Sequence, residues 1–123
     1  MDMEYVYGML SDVDIKKYIG KGIEIYTEHE NDELKFDLDK QLQLASIDLR
    51  FRNEFKKFKD GISGSINYEM LKNREYTMPF EIANNEKLKV KPGEVIFTTT
   101  LETVKISNDF GGIITGRSSI ARL

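Results

Sequence analysis

The run IITGRSSIARL near the carboxyl end carries the densest set of side chains able to bind an anion. Gly116 permits a tight exit from an apolar strand, Arg117, Ser118 and Ser119 follow, and Ile120, Ala121 and Arg122 have fair helix propensity. A helix opening there faces unpaired backbone N–H groups outward, the two hydroxyls add donors, and Arg117 and Arg122 add charge-assisted bonds suited to phosphate oxygens. The same residues also describe an ordinary Ser-capped helix with two surface arginines. The motif alone does not separate the phosphate cradle from the cap.

Asp48, in SIDLRFR, has two readings as well: support for a metal-bound phosphate, or simple pairing with neighbours such as Arg50. His29 sits in the charged run TEHEND and reads as a solvated turn residue without catalytic duty. Tyr5, Tyr7, Phe97 and Phe110 read as packing groups rather than base-stacking platforms. The chain has no Cys and one His. Disulfides, a thiolate nucleophile, iron-sulfur clusters and Cys- or His-rich zinc sites are therefore excluded, and no protein metal site is expected.

These residues need elements to position them. LSDVDIKKYIGKG predicts a short helix capped by Ser11, with Asp12 and Asp14 in the first turn and Gly20 at its end. Leu10 and Ile15 fall at hydrophobic-staple positions, and Ile15, Tyr18 and Ile19 form one apolar side. The period then changes to two. Ile23, Ile25 and Thr27 share a face, and Leu34, Phe36 and Leu38 alternate with Lys35, Asp37 and Asp39, which predicts strands. In SIDLRFR, Ile47, Leu49 and Phe51 point to the core while Ser46, Asp48, Arg50 and Arg52 face away. Residues 60–77 read as a loop or weak hairpin. In KVKPGEVIFTTTLETVKI, Pro92-Gly93 suits the centre of a type II turn, and the run from Val95 to Ile106 suits strands either side of a bend.

The chain has 123 residues, 18 Lys+Arg against 21 Asp+Glu, 40% hydrophobic and 32% charged residues. That is one domain's worth of chain with a modest core. The many short strands with a small N-terminal helix predict a mainly β sandwich, jelly roll or barrel. Mild acidity, with a pI near 5.3, argues against nucleic-acid binding, which needs a clustered positive field. No stretch approaches the ~20 apolar residues of a membrane span and the N-terminus lacks a secretory layout, so a cytoplasmic location without membrane contact is expected.

Four segments in order, MLSDVDIKKYI (9–19), QLQLASIDLR (41–50), KPGEVIFTTTLETVKI (91–106) and GRSSIAR (116–122), together resemble dCTP deaminase of the dUTPase-like superfamily. The resemblance implies a jelly-roll or distorted β-barrel assembled as a homotrimer with active sites between subunits. It implies hydrolysis of the 4-amino group of dCTP to give dUTP and ammonia without zinc, the triphosphate carrying Mg²⁺; bifunctional relatives go on to dUMP and pyrophosphate. The lack of Cys agrees, since zinc deaminases use a His/Cys/Cys or Cys₃ site. By position in the motif, Arg117, Ser118, Ser119 and Arg122 fall on nucleotide- and phosphate-binding residues. Ser118 is also the candidate to hold the attacking water. Arg122 would orient the catalytic carboxylate and stabilise charge at the tetrahedral centre. Asp48 falls on the first-motif aspartate, in a supporting role.

The sequence also departs from the family pattern. Leu44 stands where Pro is usual, Phe51-Arg52 where Leu-Gly is common, and residues 1–8 precede the usual start as an N-terminal extension, expected to add a strand on Tyr5, Val6 and Tyr7. The dCTP deaminase-like domain is assigned to residues 9–123, C-terminally incomplete, because the sequence ends at Leu123 inside the helix the motif opens. The family's remaining third carries the general-base glutamate, and no residue here is transferred to that role. Two functions are therefore expected in competition: a deaminase, or an inactive nucleotide-binding or oligomerisation module of the same fold. Missing strands would leave open sheet edges, so the chain is expected to be oligomeric or unstable.

Overall fold

The computed structural model describes residues 8–28, 32–62, 64–83, 86–117 and 119. Among them are five strands in two antiparallel sheets and a few short helices, the mainly β composition expected of a dUTPase-like fold. No helix among the described residues is long and apolar enough to cross a membrane. The chain divides into two compact units, one of residues 1–50 with 101–123 and one of Phe51–Thr100.

The first unit opens with helix α1 (Asp12–Tyr18), which the sequence specifies locally. Ser11 accepts from the Asp14 N–H while the Asp14 carboxylate accepts from the Ser11 N–H, a reciprocal cap at the expected position. Ile15 is buried, and the Tyr18 ring packs against Phe110 with centroids 4.9 Å apart, so Phe110 is a packing group as expected. Gly20 follows with φ +78°, a conformation open to Gly without strain. Strand β1 (Ile23–Thr27) alternates as read, with Ile23 buried and Glu24 and Tyr26 exposed. It pairs antiparallel with a strand near the other end of the sequence, β5 (Glu102–Ile106), Ile23 opposite Ile106 and Thr27 opposite Glu102. The expected strand through 34–39 does not form. Asp32–Leu34 is a 3₁₀ turn and Leu38–Gln41 is helix α2. The cause is the Asp37 side chain, which accepts from the N–H groups of Asp39 and Lys40 and so starts a helix where the alternation predicted a strand.

The second unit holds a three-stranded sheet in the order β3-β2-β4. Strand β2 (Phe51–Phe58) is central, flanked by β3 (Thr77–Glu81) and β4 (Ile96–Thr100). Phe55 is buried and stacks on Phe80 at 5.6 Å; Phe97 meets Phe58 edge-on at 5.2 Å, a packing role as read. Pro79 is tolerated because β3 is an edge strand. Gly93, with φ +79°, supplies the positive φ of the expected turn, closed by the Glu94 N–H to the Lys91 carbonyl at 3.0 Å. The segment read as loop contains helix α3 (Tyr68–Asn73), capped by Asn67, whose side chain accepts from the Met70 N–H at 2.9 Å. Phe51 is 68% exposed rather than core-facing. The strand begins at Phe51, its register against β4 shifts between Phe51 and Phe55, and the alternation read from Ile47 is therefore broken.

Leu101, buried, is the bend between β4 and β5 that the run of β-branched residues predicted. The final expected strand does not form: residues 111–117 lie outside any strand, and Ile113 and Ile114 are exposed. Tyr5, Val6 and Tyr7 of the expected added strand, and His29, lie outside the described residues.

Candidate functional site

The site region is built on the stretch between α2 and β2, in the first unit. Leu42 bridges Ile47 antiparallel, and the Gln43 N–H reaches the Ser46 carbonyl at 2.8 Å, so residues 43–46 form a tight loop. Leu44, where the family pattern has Pro, is exposed on that loop, and its carbonyl accepts from the Asp12 N–H at 2.8 Å. The chain then passes through Asp48, Leu49 and Arg50 without entering a strand.

Two of the residues singled out from the sequence come together here. Arg117 Nη1 lies 3.7 Å from Oδ2 of Asp48, the arginine side chain 64% exposed and the carboxylate 32%. Gln43 Nε2 donates to the same carboxylate oxygen at 3.2 Å. An ion pair this open to solvent adds little stability, so its consequence is orientation. Ser119 is described and exposed; Ser118 and Arg122 lie outside the described residues. Among the described residues no group of three or more His, Cys, Asp or Glu side chains gathers so as to hold a metal ion. An open groove of about 230 Å³ lies between α1, α2 and the loop after it, lined by Asp12, Lys16, Asp39, Leu42, Gln43 and Leu44 among others. Of the candidates read from the sequence, the described ones, Asp48, Arg117 and Ser119, do not line it.

Behind Asp48 lies a polar core that the sequence reading did not assign. Glu102 is 3% exposed and Gln41 7%. The Glu102 carboxylate accepts from Gln41 Nε2 at 2.8 Å, from Arg50 Nε at 2.7 Å and from the Arg50 N–H at 2.9 Å. The Arg50 guanidinium continues to the carbonyls of Glu33, Leu34 and Lys35, at 3.3, 2.9 and 3.1 Å. Those carbonyls are thereby tied to a side chain, which further explains the missing strand at 34–39. Arg50, read as facing away from the core, is instead half-buried inside it. Burial is the largest influence on the Glu102 carboxyl and pushes its pKa up, but the bonds from the Arg50 backbone and side chain and from Gln41 outweigh it. The net result is a pKa below the usual carboxylate value. The signal for this cluster was available: Gln41 and Arg50 end one of the four motif segments and Glu102 sits in another.

Comparison with known proteins gives a consistent picture. Residues 9–123 match the family model described as dCTP deaminase-like. The chain is 37% identical over 115 residues to a protein of Dictyoglomus thermophilum named dCTP deaminase, dUMP-forming, covering 94% of this chain and 56% of the relative. It is 33% identical over 116 residues to a protein of the same name from Methanosphaera stadtmanae, covering 94% and 55%. It is 34% identical over 121 residues to the dCTP deaminase of Glaesserella parasuis, covering 93% and 59%. The chain thus spans a little over half the length of these curated relatives.

Proposed function

Because the chain belongs to the dCTP deaminase-like family, we propose that it is a nucleotide hydrolase acting on dCTP in the cytoplasm. Water adds to C4 of the cytosine, the tetrahedral centre collapses, the exocyclic amine leaves as ammonia, and the product is dUTP. In this reading Arg117, Ser118, Ser119 and Arg122 grip the triphosphate, whose Mg²⁺ enters as part of the substrate, bound by phosphate oxygens as this ion commonly is. Ser118 holds the attacking water, and Arg122 stabilises the charge that develops as the tetrahedral centre forms. The observation that carries the reading is the family match across residues 9–123. The pairing of Arg117 with Asp48 supports it, because a carboxylate behind an exposed guanidinium limits the directions it can point before ligand arrives.

Glu102 is not the general base in this scheme. Its carboxylate is shielded from solvent and already engaged by Arg50 and Gln41, so water cannot approach it without dismantling that cluster. A homotrimer with sites between subunits completes the proposal. The outer edges of a two-stranded and a three-stranded sheet, together with exposed Ile113 and Ile114, are surfaces that a subunit contact would cover.

The names of two relatives favour a second step, hydrolysis of dUTP to dUMP and pyrophosphate. Incubating the protein with dCTP and Mg²⁺ and separating the nucleotides by chromatography tests both readings. Accumulating dUTP supports deamination alone and dUMP supports the coupled reaction. Unchanged dCTP defeats both in favour of a nucleotide-binding or oligomerisation module.

A further inference from the structure

We infer that Gln41, backed by Glu102, is a positioning residue for the phosphate grip: its amide fixes the backbone of Asp48 and so aims the carboxylate that faces Arg117. The inference rests on the reading of Arg117 as a phosphate-binding residue. Its support is the hydrogen bonding of residues 48–50, which lie outside any strand. The Asp48 N–H donates to the Gln41 carbonyl at 2.8 Å, and the Asp48 carbonyl accepts from Gln41 Nε2 at 2.9 Å. The Arg50 N–H donates to Glu102 Oε2 at 2.9 Å, and the Arg50 carbonyl accepts from the Leu101 N–H at 2.7 Å. Backbone that would otherwise wander is therefore held from both ends by Gln41 and by Leu101-Glu102.

Gln41 is suited to this task because all three of its amide functions are committed. Oε1 accepts from the Asp37 N–H at 3.0 Å, while Nε2 donates both to the Asp48 carbonyl and to Glu102 Oε1 at 2.8 Å. Turning the amide over would break all three bonds and place its oxygen against a carboxylate. A carboxylate on free backbone would hold an exposed arginine only loosely, so the orientation of Arg117 depends on this fixed Asp48. Gln41 touches no reacting atom in this scheme; it acts through Asp48.

The test is a double-mutant cycle on the full chain, read as the affinity for Mg·dCTP by titration calorimetry. Gln41→Met keeps the side-chain length and removes the amide, and Asp48→Asn removes the charge. Each single substitution is expected to weaken binding roughly tenfold, and the double variant no further than Asp48→Asn alone, because coupled residues are not additive. Wild-type affinity in Gln41→Met, or losses that multiply in the double variant, overturns the inference. Absence of binding in the wild-type chain instead defeats the reading of Arg117. Positioning is then judged by ¹⁵N relaxation of Arg117 Nε: greater mobility in Gln41→Met supports it and unchanged mobility overturns it. Should Gln41→Met fail to fold, amide exchange in the wild-type chain decides: the Arg50 N–H must be as protected as those of the β1–β5 ladder, and fast exchange overturns the inference.

Discussion

Arg50 Nε stands 2.7 Å from Glu102 Oε1, an ion pair whose carboxylate side is wholly shielded from solvent while the guanidinium side is 34% exposed. The two residues are 52 positions apart in sequence, and the same carboxylate also holds the Arg50 N–H and Gln41. One buried carboxylate thus joins the start of β5, the irregular segment before β2 and the end of α2. Much of this unit's interior order rests on polar contacts, because its buried apolar residues among those described are only Ile15, Ile23 and Leu101.

Glu102→Ala is expected to destabilise the chain by about 2–3 kcal/mol. Breaking a fully buried pair costs about 3–5 kcal/mol, and the partial exposure of Arg50 lowers that figure. Urea denaturation followed by far-ultraviolet circular dichroism measures it; a loss below about 0.5 kcal/mol would show the pair to be dispensable.

Acid should release the same contribution. The folded-state pKa of Glu102 is lowered from an ordinary value of 4.5, so between the two values the unfolded chain binds more protons. Stability from this group is fully present above pH 4.5 and drains away as pH falls through the lower folded value. The urea midpoint of the wild-type chain should drop over that window more steeply than that of Glu102→Gln, and equal slopes would assign the acid sensitivity elsewhere.

Gly22→Ala tests the packing under β1. Gly22 has φ +114°, and a methyl there would lie 2.7 Å from Phe110 Cε2 and 3.0 Å from Ser107 Oγ. Backbone strain and displacement of a ring packed on Tyr18 should together cost about 1–3 kcal/mol. A melting temperature equal to wild type would mean that Phe110 moves aside freely.

The sequence shows best what is decided locally. Ser11 and Asp14 stand three residues apart and cap α1 without help from the rest of the chain, and Pro92-Gly93 closes its turn in the same way. The run from Val95 to Ile106 showed strands either side of a bend, and the fold alone puts that bend at Leu101. Alternation misled at residues 34–39, because a capping aspartate and three carbonyls taken by a distant arginine outweigh period-two hydropathy. Asn67 began a helix that its Gly- and Ser-rich surroundings obscured. The Arg50–Glu102 pair joins positions far apart, which no local pattern records. For the site, the motif order pointed to Arg117 and Asp48, and the fold sets them side by side.

Arg122→Ala should abolish dCTP turnover while leaving the circular dichroism spectrum and melting temperature unchanged, because its proposed task is to stabilise charge in the transition state. Chromatographic product formation checks this, and undiminished turnover would strip Arg122 of that role.

The central claim is that the GRSSIAR segment, through Arg117 to Arg122, grips a nucleotide's triphosphate, and calorimetric titration of Mg·dCTP into the wild-type chain and into Arg117→Ala tests it most directly. The wild type should bind measurably and the variant at least roughly tenfold more weakly, the loss expected on removing a charge-assisted phosphate contact. Equal affinities, or no binding by the wild type, would contradict it.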